Sequence, residues 1–239
     1  MSTRTTAVID VPMGAQPDDF SCGPTSLQAV YAHFGTRLEL ATIREAVPVL
    51  EEGGTLAVHL GTDALRRGFR VRLHSYNLQV FDPSWQDYSM TELDVALAAR
   101  AGARTDRKLR DSIDAYRTFL RAGGVVDFTE LSPDLLHRYF GRGLPVLAGL
   151  SATYLYATPR ERVAGGAMVF DDVAGDPQGH FVVLCGFDGP HVIVADPFKE
   201  NPSGDHYYPV ETARLIQAIM LGVLTYDGNL LILGRDGLP

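Results

Sequence analysis

The hydrophobic pattern of the chain changes part-way along its length, and this change restricts the fold more than any other feature. Up to about residue 141, apolar residues recur at helical spacing, as in Leu27, Val30 and Tyr31. After residue 144, short runs rich in Val, Leu and Ile are bounded by Gly, Pro and Asp, as is typical of buried strands. A helical first half followed by a β-rich second half predicts an α+β fold.

The same patterns give approximate positions for the elements. Helices are expected over residues 24–34, 40–47, 55–67, 91–122, 133–141 and 211–221, the fourth in two segments broken near Gly102. Strands are expected over residues 6–11, 69–75, 144–150, 180–186, 191–196 and 230–233. The 239 residues suit one domain over 1–239, and a helical insertion is expected at about 80–130.

Composition and charge exclude several classes of function. A net charge of −8 repels phosphate backbones and anionic lipid, so neither nucleic acid nor a membrane is expected as a partner. No run approaches 18 apolar residues, and the N-terminus lacks the apolar core of a signal peptide. The two cysteines are therefore expected to be reduced thiols in a cytoplasmic protein. No spacing typical of zinc, phosphate or dinucleotide sites occurs, so no metal and no other cofactor is expected.

Cys22 stands at the start of the best-marked helix, where Pro24 suits the first turn because its missing N–H costs nothing there. A cysteine attacks as the thiolate, and the unpaired N–H groups and partial positive charge of a helix N-terminus favour that anion. Gly23 is expected to leave room beside the sulfur for a substrate carbonyl. The alternative is a small buried residue that only happens to precede a helix.

Residues 179–197 are predicted to form one β-hairpin, because two apolar runs flank an Asp-Gly-Pro turn. This hairpin brings His180 near Asp196, and a carboxylate on one imidazole nitrogen leaves the other free to take a proton. A two-residue turn at 188 and 189 places Asp196 on the opposite face, whereas a longer loop or a bulge restores the shared face. The alternatives are two unconnected strand-end residues, or His191 as the base.

The remaining cysteine and histidines are expected to be structural or solvated. Cys185 lies within a run of Phe, Val and Leu, so we expect a core thiol. The other histidines lack a nearby carboxylate in a comparable strand-end setting: His33, His59, His74, His137 and His206.

Gln16 precedes Cys22 by six residues, across a loop that turns at Pro17. Acyl transfer builds negative charge on a carbonyl oxygen, which a side-chain amide and the backbone N–H of the nucleophile can stabilise. The alternative is a surface glutamine in a polar loop. Asp18 and Asp19 are interpreted as loop residues, because a carboxylate there would oppose thiolate formation.

Four motifs taken together resemble those of papain-like cysteine peptidases: Gln16, Cys22-Gly23-Pro24, Gly179-His180 and Asp196-Pro197. The nearest branch is the bacteriocin-processing, double-glycine-leader peptidases with their stand-alone bacterial relatives. The resemblance implies a papain-like fold, with Cys22 as nucleophile and His180 as general base and acid. It further implies that Asp196 orients the imidazole and that Gln16 contributes to the oxyanion hole.

The resemblance covers residues 5–75 and 142–235 and is poor at about 80–130. It implies a hydrolase that acts on a peptide or other amide substrate through a Cys22 acyl-enzyme. The exporter-linked members are fused to membrane transporters, and this sequence shows no such segment, so their leader-peptide substrate is not carried over. Two alternatives stay open: transfer of the acyl group to an amine, and a catalytically silent peptide-binding module on the same scaffold.

Overall fold

A seven-stranded sheet carries the core of the protein, which we describe from a computed structural model covering residues 6–50 and 53–239. The strands are β1 Arg70–Ser75, β2 Val125–Asp127, β3 Val146–Ser151, β4 Glu161–Ala164, β5 Ala167–Phe170, β6 Gly179–Asp188, β7 His191–Ala195, β8 Tyr207–Glu211 and β9 Asn229–Gly234. Seven strands form the main sheet in the order β2-β1-β9-β3-β6-β7-β8. Among the strand pairs of this sheet in the described ranges, β1–β2 is parallel and the others are antiparallel. β4 and β5 form a separate hairpin.

Eight α-helices accompany the strands in the described ranges: α1 Cys22–His33, α2 Leu40–Ala46, α3 Ala57–Arg66, α4 Met90–Gly102, α5 Arg107–Arg121, α6 Pro133–Phe140, α7 Ala152–Tyr156 and α8 Thr212–Leu221. Helix α1 packs on β6, α3 on β1 and β9, and α8 on β3. The predicted α+β class is confirmed, with helices concentrated in the first half and an antiparallel-dominated sheet in the second.

Most predicted elements are present with shifted ends. Helix α1 ends where Gly35 adopts a φ of +76°, which favours glycine. The predicted helix over 91–122 is two helices, α4 and α5, separated by residues 103–106. They pack on each other, and α5 also packs on α3. The description of residues 80–130 as an insertion stays a prediction.

The predicted strand over residues 6–11 is wrong. These residues run beside β6 but share only two backbone hydrogen bonds with it, from Thr6 to Phe187 (3.2 Å) and from Ile9 to Cys185 (2.7 Å). The apolar pattern there reflects packing against the sheet rather than a complete ladder. The short or exposed elements β2, β4, β5, β8 and α7 were not predicted, because they carry little or no buried apolar pattern.

One hydrogen bond fixes helix α1 against the sheet. The Ser26 hydroxyl, one turn after Cys22, donates to the Phe181 carbonyl at 3.2 Å, and both groups are buried. Because Phe181 follows His180 directly, this contact sets the start of α1 over the start of β6. None of the helices in the described ranges combines the length and apolarity that a bilayer-spanning segment requires.

Candidate active site

A β-bulge at Cys185 sets the register of the β6–β7 hairpin. Asp188 pairs with His191 across a two-residue turn, and the register shifts by one residue between Leu184 and Gly186. Beyond the bulge, Val183 pairs with Ala195. Asp196, the residue after Ala195, therefore points to the same face as His180, as predicted for a hairpin with a bulge.

Glycine is needed at the bulge for two reasons. Gly186 adopts a φ of +149°, in a region that side chains disfavour. A Cβ at this position would also lie 3.0 Å from the Ala7 carbonyl oxygen and 3.1 Å from the Thr6 hydroxyl. The bulge thus allows the N-terminal segment to approach the hairpin closely.

His180 and Asp196 are in direct contact. The His180 Nε2 lies 2.8 Å from the Asp196 Oδ1, and the two side chains are buried. The same oxygen accepts a hydrogen bond from the Phe198 backbone N–H at 2.9 Å. With Nε2 engaged by a carboxylate, Nδ1 is the ring nitrogen that remains for proton transfer.

Two tyrosines that the sequence analysis missed complete the surroundings of Asp196. The hydroxyl of Tyr156 donates to its Oδ2 at 2.7 Å, and that of Tyr208 donates to the same oxygen at 2.6 Å. Burial and the Asp196 charge raise the pKa of both phenols, so they are neutral donors at physiological pH. No local sequence signal indicates either contact, because the tyrosines lie 40 and 12 positions from Asp196.

Cys22 is the first residue of α1, and its side chain is 8% exposed. The preceding Ser21 does not cap the helix, because its hydroxyl donates to the Asp18 carboxylate at 2.6 Å. Within the described residues, the Cys22 backbone N–H has no acceptor. The start of α1 therefore leaves an N–H group available to an anion beside the sulfur.

The expected role of Gly23 is wrong. A Cβ at this position would lie 2.8 Å from the Thr55 methyl group and 3.2 Å from Leu60 and Phe181 side chains. Gly23 is buried, and it permits close packing of α1 onto α3 and β6. The room it provides serves the protein interior rather than a substrate.

The charges of the pair and the sulfur are coupled. Burial opposes the charged form of His180, but the Asp196 carboxylate and the Cys22 sulfur outweigh it and raise the pKa of the ring to about 10. Burial likewise opposes the ionised form of Asp196, but His180 and the two tyrosine hydroxyls lower the pKa of its carboxyl. The arrangement therefore favours a protonated His180 ring beside an ionised Asp196 carboxylate.

Gln16 is anchored beside this pair but makes no hydrogen bond with Cys22 within the described ranges. Its backbone N–H donates to the Pro197 carbonyl at 2.9 Å, next to Asp196. Its side-chain Nε2 donates to the Asp18 carbonyl, also at 2.9 Å, and its Oε1 is buried without a partner among the described residues. One N–H of the amide is thus engaged, and the other is not.

The other histidines differ in their surroundings. His191 lies at the turn end of the hairpin, opposite Asp188, and is remote from the Asp196 end. The expectation that His74 lacks a carboxylate is wrong: its Nδ1 lies 3.4 Å from Asp127, because parallel pairing sets β1 beside β2. Its Nε2 contacts the Tyr139 hydroxyl at 2.6 Å, so the ring is held inside the core.

A second buried carboxylate, Asp227, lies near His180 and was also missed. Its Oδ2 accepts from the Thr225 hydroxyl at 2.8 Å and packs so closely on Gly179 that any Cβ there would overlap it. This packing gives a structural reason for the glycine before His180. Burial raises the pKa of Asp227 to about 7, although His180 and Lys108 favour its ionised form.

Replacing Asp227 with Asn is expected to stabilise the protein above neutral pH but not at pH 4. The folded protein holds the Asp227 proton more tightly than the unfolded chain does. The stability from this proton is therefore complete below about pH 4 and is lost as the pH rises through 7. The difference in unfolding free energy between Asp227→Asn and the wild type should grow with pH to a limit of roughly 4 kcal/mol. Urea denaturation at pH 4 and at pH 8 measures it. An equal gap at pH 4 and pH 8 would contradict this.

A cavity of about 460 Å³ opens beside the start of α1, between the loop before Cys22, helix α2 and the segment after it. Its apolar lining includes Phe20, Pro24, Val47 and Val49. Because Pro24 follows Cys22 by two positions, a chain bound over the sulfur has an apolar recess within reach. In the described ranges, no group of three or more His, Cys, Asp or Glu side chains is arranged to hold a metal ion.

One family model matches most of the chain. The sequence model of the Peptidase_C39 like family matches residues 8–217. Among solved structures, the peptidase domain of Streptococcus ComA shares 16% identity, with 93% of this chain and 97% of that chain covered and a TM-score of 0.42. A putative C39-like peptidase from Bacillus anthracis shares 15% identity, with coverage of 97% and 98% and a TM-score of 0.46.

A third solved structure is a double glycine motif protease from an AMS/PCAT transporter in complex with the leader peptide. It shares 16% identity, with 97% of this chain and 95% of that chain covered and a TM-score of 0.44. No curated protein matches the chain.

Proposed function

The chain belongs to the Peptidase_C39 like family, whose papain-like peptidases the sequence motifs resemble, and we propose that it is a cysteine peptidase acting through an acyl-enzyme on Cys22. The observation that carries the proposal is the 2.8 Å contact between His180 and Asp196, with the ring coupled to the Cys22 sulfur. Two unpaired cysteines are compatible with action in the reducing cytoplasm, which we include in the proposal.

The proposed reaction begins with proton transfer from the Cys22 thiol to His180 Nδ1. Asp196 holds the other ring nitrogen and stabilises the imidazolium. The thiolate attacks the carbonyl carbon of the substrate amide, and a new C–S bond forms. His180 then gives its proton to the leaving amine as the C–N bond breaks. Water, deprotonated by the same ring, finally hydrolyses the thioester and restores the thiol.

The negative charge on the attacked oxygen needs hydrogen-bond donors. We assign the Cys22 backbone N–H and the second N–H of the Gln16 amide to this role. The first N–H of Gln16 stays on the Asp18 carbonyl and holds the amide in place. The loop before α1 thus contributes both an ordered amide and an uncapped helix start.

The proposal predicts very unequal reactivity of the two cysteines. With iodoacetamide near neutral pH, Cys22 should be alkylated at least about 100-fold faster than Cys185. Cys185 is 1% exposed, and burial raises the pKa of its thiol to about 12. Peptide mapping by mass spectrometry measures both rates in one sample. Equal, slow labelling of the two thiols would favour a catalytically silent peptide-binding module.

Cleavage of a peptide library tests the reaction itself, with Cys22→Ala as the inactive control and Cys185→Ala as the matched variant expected to remain active. Adding a primary amine distinguishes hydrolysis from acyl transfer. Capture of the acyl group as a new amide in preference to water would replace the hydrolase with an acyltransferase. Loss of cleavage in Cys185→Ala but not in Cys22→Ala would refute the assignment of the nucleophile.

A further inference from the structure

Asp196 is surrounded completely by hydrogen-bond donors. Its Oδ1 accepts from the His180 ring and the Phe198 N–H, and its Oδ2 accepts from Tyr156 and Tyr208. The side chain has no measurable exposure. A carboxylate offers about four acceptor positions, so this one has none left for water or for a proton.

The tyrosines approach Asp196 from two separate elements. Tyr156 is the last residue of α7, and Tyr208 lies in β8, which pairs with β7. Neither residue belongs to the motifs from which the site is recognised. Their two donors occupy the oxygen that does not face His180, and thereby prevent the carboxylate from rotating about its terminal bond.

We propose that Tyr156 and Tyr208 are positioning residues that keep Asp196 ionised and its Oδ1 directed at His180. This inference rests on the proposed function, because it assigns their effect to the Cys22–His180 pair. The hydroxyls act through Asp196 and do not touch the reacting atoms. Their contribution should therefore appear in proton affinity rather than in substrate binding.

The sign of the effect follows from the direction of the O–H dipoles. Each hydroxyl directs its positive end at the Asp196 carboxylate, and so opposes proton binding by Asp196 and by the His180 ring next to it. Removing a hydroxyl should make the site hold its proton more tightly, so that the thiolate forms at a higher pH. Among the described residues, the other titratable groups facing the pair are Cys22 from α1, His206 before β8 and Asp227 before β9. These three side chains are the same in the wild type and in variants that remove a tyrosine hydroxyl.

The test measures the rate of Cys22 alkylation by iodoacetamide from pH 3 to pH 9. In Tyr156→Phe and Tyr208→Phe, the midpoint of the rate profile should rise by about 0.5 to 1 pH unit, and in the double variant by more. The control is Tyr154→Phe, two positions earlier in α7, whose hydroxyl bonds Gln217 instead. Its midpoint should equal that of the wild type. For any cleaved peptide, the two test variants should lower kcat with little change in KM.

Each result of the labelling experiment supports a different conclusion. Fast labelling of wild-type Cys22 with unshifted midpoints in both single variants overturns the positioning role and leaves the proposed function intact. A shift in only one of them overturns the role for the other tyrosine. Slow labelling of Cys22 in the wild type defeats the proposed function instead. The single variants decide the question even when the double variant does not fold, because each removes only one oxygen atom.

Discussion

His180→Ala is expected to lower kcat/KM for any cleaved peptide by about 10³- to 10⁴-fold, because the base and the acid of the reaction are lost together. Alkylation of Cys22 should also slow by at least about tenfold at pH 6. Without the imidazole, the Cys22 thiol has no neighbouring base to take its proton as the sulfur attacks the reagent. Steady-state kinetics and pH-dependent labelling measure the two effects separately.

His191→Ala is the matched control, since His191 lies in the same hairpin and is the rival base within it. It is at the turn end, where it pairs with Asp188 and Glu211. Its replacement should leave both rates within about twofold of the wild type. If His191→Ala abolished cleavage while His180→Ala did not, the assignment of the base would be wrong.

Local sequence patterns predict the His180–Asp196 contact only in part. Two apolar runs around a turn predict the hairpin, and strand-end positions predict the approach of the two side chains. The face on which Asp196 points depends on the bulge at Cys185. Hydrophobic alternation cannot locate this bulge, because nearly every residue of β6 is buried on both faces. The turn at 189–190 is one position later than the two-residue turn considered from sequence.

The residues that sequence analysis missed are those brought in by long-range packing. Tyr156 and Tyr208 reach Asp196 from a one-turn helix and an edge strand, neither of which has a strong periodic signal. Asp227 reaches the start of β6 because β9 and β3 are neighbours in the sheet, although they are far apart in sequence. No spacing rule connects these positions to Cys22, and only the assembled sheet does.

The misjudged role of Gly23 has the same origin. A glycine beside a nucleophile suggests space for a ligand, but the sequence does not show which neighbours pack against its Cα. The structure turns that side toward Thr55, Leu60 and Phe181. Packing of α1 on the sheet therefore requires a glycine that the chemistry of the site does not.

Asp196→Ala is expected to cost about 3–5 kcal/mol of unfolding free energy, because it leaves buried donors without an acceptor. The donors are the His180 ring, the Phe198 N–H and the hydroxyls of Tyr156 and Tyr208. Cleavage should fall by about 10³-fold or more, since the ring loses both its orientation and its counter-charge. Urea denaturation measures the first effect, and the pH profile of Cys22 alkylation measures the second.

Asp196→Asn separates shape from charge at the same position. The amide oxygen can accept from His180 and Phe198, while its NH₂ group donates to the two tyrosine hydroxyls, which rotate to accept. Stability should therefore stay within about 1–2 kcal/mol of the wild type. The missing charge should still lower the proton affinity of His180, so labelling and cleavage should change more than folding does.

Asp205→Ala is the surface control. Asp205 is exposed, and within the described residues its carboxylate accepts one hydrogen bond, from the Tyr207 N–H at 3.3 Å, so loss of this side chain should cost no more than about 0.5 kcal/mol. The contrary result is an Asp196→Ala variant that is as stable as Asp205→Ala and keeps rapid Cys22 labelling. In that case the four donors around Asp196 would have another acceptor in the fold. The carboxylate would then not be what orients His180. If Asp196→Asn lost as much stability as Asp196→Ala, the charge rather than the hydrogen-bond geometry would hold this part of the fold together.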